Sequence, residues 1–213
     1  MALTGFSHAA TISYSLYNAY SGISPAYPAT AAEPWLRLTI ADVATDQVAI
    51  TFEAVHLTGG EFVSEWDFNF QPEVPTTLTF SPVIGLPSSG SYDLPVIGQV
   101  ANSYKAGSDK YYDISLMFES SNANSGLKLF TQGDVLVYNV TGSGITAGSF
   151  DYYSDPGGAA GPFHSAAHIQ NTPNGEGCSV WVSSVPEPSA AIYSLLAATV
   201  GFALSRKRRD SQL

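Results

Sequence analysis

The chain is poor in several kinds of residue, and each scarcity narrows what it can be. It has one cysteine, Cys178, in 213 residues, which excludes an internal disulfide framework and any cysteine-based zinc cluster. Charged residues make up only 12%, too few for a helical bundle or coiled coil, which draw on Glu, Lys, Leu and Ala. Basic residues are the scarcer charge: eight Lys and Arg stand against 18 Asp and Glu, a formal net charge of −10. Such a surface repels phosphate backbones, which excludes a nucleic-acid partner. There is no GxSxG elbow, P-loop or dinucleotide fingerprint. Nor is there an internal repeat of fixed period, so a solenoid or propeller is not expected.

What is present is 45% hydrophobic residues with 19 Gly and 12 Tyr, enough apolar material for one sizeable core. Its period is two. Leu36, Leu38 and Ile40 alternate with Arg37 and Thr39; Val48, Ile50, Phe52 and Ala54 alternate with Ala49, Thr51 and Glu53. Phe62, Trp66, Phe68 and Phe70 fall on one side, Glu65, Asp67 and Asn69 on the other, and Ile114, Leu116 and Phe118 continue the pattern. Residues 134–141 and 178–183 are more continuously apolar and read as central or doubly covered strands. About ten such segments, separated by Gly, Pro, Ser and Asn clusters, predict an all-β ectodomain over 10–184, an antiparallel, jelly-roll-like β-sandwich.

The charge is unevenly placed. Residues 1–185 hold four basic against 16 acidic residues, a charge of −12, while Arg206, Lys207, Arg208 and Arg209 stand side by side near the end. Before them, residues 190–205 contain no charge and no proline. As a helix they would reach about 24 Å at ~1.5 Å per residue. With residue 189 and snorkelling basic side chains, that is nearly the roughly 30 Å of a hydrocarbon core. The apolar residues surround this helix instead of striping it, and the basic block after it predicts a cytoplasmic end.

Immediately before the helix stand Val185, Pro186, Glu187 and Pro188. A VPEP motif at 185–188, a hydrophobic helix at 189–205 and a basic cluster at 206–209 together resemble the PEP-CTERM protein-sorting signal of Gram-negative bacteria. The resemblance implies an inner-membrane precursor, with the helix as its membrane contact. It further implies an exosortase partner that cuts near the motif and delivery to the cell surface or exopolysaccharide matrix of a biofilm former. The prolines lack amide donors and hold the backbone extended, which keeps Glu187 readable. Export by this route needs a signal peptide. Residues 1–9, ending in Ser7, His8 and Ala9, read as the remnant of a longer one, with cleavage after Ala9.

Several residues in the body are candidates for binding. His164 and His168, four apart, would share one face of a strand or helix, and Asp151 or Asp155 could complete a nitrogen and oxygen ligand set. Two satisfied imidazoles at a strand end are the plainer reading. Glu61, Glu65 and Asp67 cluster near Gly59 and Gly60; oxygen-rich loops suit calcium, with a solvated acidic surface as the alternative and no EF-hand present. Trp66 and Trp181 lie in apolar alternation and belong to the core. Tyr111, Tyr112, Tyr152 and Tyr153 lie in turn-rich stretches and are expected to offer aromatic faces to sugars. Cys178 reads as a strand-buried thiol. The expectation is a non-enzymatic envelope or matrix protein without a cofactor. A carbohydrate-binding module and a polysaccharide hydrolase or lyase are the alternatives.

Overall fold

The computed structural model describes residues 9–22, 33–58, 60–71, 77–83, 92–107, 110–121, 128–155, 161–172 and 178–184. Residues 1–8 of the signal-peptide remnant expected at 1–9, the VPEP motif at 185–188, the hydrophobic segment expected to be a helix at 189–205 and the basic cluster at 206–209 lie outside them. Among the described residues, no helix is long and apolar enough to cross a membrane.

The described residues form ten strands: β1 (Thr11–Gly22), β2 (Leu36–Ala44), β3 (Gln47–Ala54), β4 (Phe62–Phe68), β5 (Thr79–Pro82), β6 (Val96–Ala106), β7 (Lys110–Met117), β8 (Val135–Thr141), β9 (Ser165–Gln170) and β10 (Ser179–Ser184). They make one sheet in the order β5-β8-β3-β2-β1-β10-β9-β4-β7-β6, and every pairing is antiparallel. Where the sequence predicts a sandwich, the structure has one continuous curled sheet. Phe52 on β3 and Trp66 on β4 are separated by four strands in that order, yet their rings meet edge to face at 5.1 Å.

The alternation in β2 and β3 explains the core. Leu36, Leu38, Ile40, Val48, Ile50 and Phe52 are all fully buried, and cross-strand register pairs Leu38 with Phe52 and Ile40 with Ile50. Each such side chain contributes about 1.5–3 kcal/mol over exposure. Asp46 allows the tight reversal between them: its φ is +59°, a left-handed conformation that Asp tolerates. Its Oδ1 accepts the Gly144 N–H at 2.7 Å.

Strand β4 differs from expectation. Its apolar side, Trp66 and Phe68, enters the core as read, but Asp67 on the opposite side is also fully buried. The reason is a second, smaller cluster in which Ala106 and Tyr112, from the β6–β7 hairpin, pack with Ala166, Tyr20 and Trp181. The Tyr20 hydroxyl donates to the Ala106 carbonyl at 3.2 Å. The hairpin thereby shields a face that alternation alone assigns to solvent.

Candidate functional site

A single 3-10 turn, Ala147–Phe150, follows β8 and delivers the chain into residues 151–155. That segment is fastened from several sides. The Ser154 N–H donates to the Phe163 carbonyl at 2.8 Å, and the Phe163 N–H returns a bond to Ser154 Oγ at 3.1 Å. The Asp155 N–H donates to the Tyr111 carbonyl at 3.1 Å. With Ser154 buried and its neighbours exposed, Tyr152 and Tyr153 project outward from a fixed backbone.

Rings support this segment from behind. His164 stacks on Tyr14 with centroids 4.7 Å apart and planes at 13°, and it meets Tyr153 at 3.9 Å and 34°. The Tyr14 hydroxyl donates to Asp151 Oδ1 at 2.8 Å. His164 Nδ1 lies 3.4 Å from the same oxygen, at ion-pair distance but off the line of a hydrogen bond. Burial lowers the His164 pKa below its ordinary value, while Asp151 and the Tyr152 carbonyl pull it back. Burial, then the bond to Asp151, raises that of Tyr14. The group therefore holds the imidazole between two phenol rings. Tyr153 gives one side to His164 and is still 48% exposed; Tyr152 is 37% exposed.

Beside these tyrosines opens a cleft of about 390 Å³, lined by Phe70, Asn102, Asp113, Tyr152, Tyr153 and Asp155 among others, within the size range of small-ligand sites. Asp113 organises it. Its Oδ2 accepts the Phe70 N–H at 3.1 Å and its Oδ1 the Asn102 N–H at 2.8 Å, which joins the end of β4 to the irregular middle of β6. Asp155 is exposed, and among the described residues its carboxylate makes no such bond. Aromatic faces edged by carboxylate and amide groups can stack on an apolar ring face and bond its polar rim.

No protein-family model, curated protein or solved structure matches the chain. The site therefore stands on its own geometry.

The other predicted residues are dispersed. Tyr111 is 38% exposed, but Tyr112 is fully buried and presents no face to a ligand. Adjacent strand residues point to opposite sides, and the side that carries Tyr112 packs with Ala106 and Ala166. His168 stacks on Trp181 at 4.8 Å and 14°, and its Nδ1 is 3.0 Å from Ser64 Oγ. His164 and His168 thus serve separate ring contacts, and of the two carboxylates read as partners only Asp151 reaches a histidine. Among the described residues, no group of three or more His, Cys, Asp or Glu is arranged to hold a metal ion, and Glu61, Glu65 and Asp67 form no such group.

Glu65 and Asp67 are instead an acidic pair, Glu65 half-buried and Asp67 fully buried. Ser115 Oγ donates to Glu65 Oε1 at 3.3 Å, while both Asp67 oxygens and the Tyr112 hydroxyl are buried without a hydrogen bond. Burial, reinforced by Glu65, raises the Asp67 pKa well above its ordinary value; burial also raises that of Glu65. The sequence does not single out Tyr14, Asn102 or Asp113. Tyr14 gains its role from Asp151, 137 residues away, and Asp113 joins Phe70, 43 residues back, to Asn102 of its own hairpin.

Proposed function

We propose that this chain is a surface-sorted or secreted, non-enzymatic protein of the cell envelope or exopolysaccharide matrix, processed by an exosortase at its C-terminal PEP motif. The precursor sits in the inner membrane through the 189–205 helix, and the processed body resides at the cell surface. The observation that carries this reading is positional. Strand β10 lies between β1 and β9 and ends at Ser184, one residue before Val185. A cut near the motif then removes the basic and apolar tail while every cross-strand partner of β10 stays in place. Replacing Pro186, Glu187 and Pro188 by alanine is expected to leave uncut precursor in the inner membrane. Normal surface release of that variant refutes the reading.

The cleft beside Tyr152 and Tyr153 favours a second reading, a carbohydrate-binding module. A hydrolase or lyase built on Glu65 and Asp67 is disfavoured, because Asp67 lies beneath the β6–β7 hairpin, where a polysaccharide does not reach it. We read the curled sheet as a sandwich-like, jelly-roll-related scaffold that holds the cleft rigid.

A further inference from the structure

We infer that the cleft beside Tyr152 and Tyr153 binds a glycan carrying free amines, a deacetylated hexosamine chain, with the sugar's apolar face on Tyr153 and an ammonium group at Asp155. This rests on the carbohydrate-binding reading and adds the chemical class of the sugar. Three observations carry it. First, the platform is built before any ligand arrives: His164 is stacked on Tyr14 and backs Tyr153, while Ser154 and Asp155 are tied to Phe163 and Tyr111. A rigid aromatic ring loses little freedom on binding.

Second, the charged side chains that line the cleft have one sign. Asp113 and Asp155 line it and Asp151 adjoins it, whereas Lys105 lies over the Tyr111 ring at 5.9 Å and is not among the lining residues. A uronate would meet carboxylates without a cation to neutralise it, while an ammonium would meet a complementary field. Third, the carboxylates divide the work. Asp113 spends both oxygens on backbone N–H groups and shapes the site. Asp155, exposed and without a hydrogen bond to its carboxylate among the described residues, is open to an incoming N–H donor, and a charged donor and acceptor make the stronger kind of hydrogen bond.

The test is calorimetric titration of the full chain in detergent with three probes of equal length: oligomers of β-linked glucosamine, their N-acetylated counterparts, and oligouronates. The glucosamine oligomer is expected to bind about tenfold tighter than the acetylated one, and the uronate not to bind. Asp155→Asn, a change of an exposed group, should reduce the amine preference to within about twofold. Tyr153→Ala should weaken both hexosamine probes about tenfold, and Tyr153→Trp should retain them. Uronate binding equal to glucosamine binding, an amine preference that survives in Asp155→Asn, or no saccharide binding at all overturns the inference. The sorting reading is judged separately by surface release of the PEP variant, which involves no sugar.

Discussion

Gln99 bridges the two edges of the sheet through Leu78. Its Oε1 accepts the Leu78 N–H at 3.2 Å and its Nε2 donates to the Leu78 carbonyl at 3.0 Å, although β5 and β6 lie at opposite ends of the strand order. A side-chain amide thus imitates a backbone partner where the sheet stops short of closing. Gln99→Ala should destabilise the protein by about 1–3 kcal/mol, because both Leu78 groups lose a partner. Urea unfolding measures this, and faster amide exchange in β5 should accompany it. Unchanged stability and exchange would show the bridge to be incidental.

Acid should stabilise this protein through Asp67. A carboxyl whose folded pKa is raised contributes stability that is complete below its ordinary value, 3.8, and is lost as pH rises through the folded value. Glu65 acts in the same direction. Asp67→Asn should therefore raise stability near neutral pH by about 1–3 kcal/mol and flatten the gain on acidification. Thermal melts of both proteins from pH 4 to 8 decide the matter, and a variant that is less stable throughout would contradict it.

The two imidazoles of the 164–168 segment should titrate below the ordinary histidine value of 6.5, since burial depresses both. The sign is opposite to that of Asp67: their contribution is present above 6.5 and is lost as pH falls through the depressed folded values. Histidine ring resonances followed by NMR would show this, and midpoints at or above 6.5 would refute it.

Ser165→Ala should cost about 1–3 kcal/mol. Ser165 Oγ accepts the buried Trp66 indole N–H at 3.0 Å and donates to the Asp67 carbonyl at 2.9 Å, so the change leaves two buried groups without their partner. Chemical denaturation gives the cost. Tryptophan fluorescence reports whether the indole has moved.

Much of the fold is legible in local alternation and the rest is not, for physical reasons. Leu36 to Ile40 and Val48 to Ala54 reveal their buried side because a strand with one face in the core must alternate. β6 gives no such signal, since Val96 and Val100 are exposed along an edge that packs on little. The union of all ten strands into one sheet depends on which strands pair, and pairing is non-local. Tyr152, Tyr153, Asp151 and His164 are recognisable one by one, but Tyr14, which completes their ring stack, is 137 residues from Asp151. The burial of Asp67 was hidden for the same reason: its side of β4 was legible, the hairpin above it was not.

The middle of the sheet is the last part of the body to be synthesised. β1 and β9 receive their shared neighbour only when β10 has emerged, so until then each presents an open hydrogen-bonding edge to whatever is nearby. Partners separated by nearly the whole chain, such as Leu16 and Ser184, also make folding slow for its size. Until β10 joins, the body stays open to edge-to-edge association, and the strand that ends this exposure is the one that finishes at Ser184.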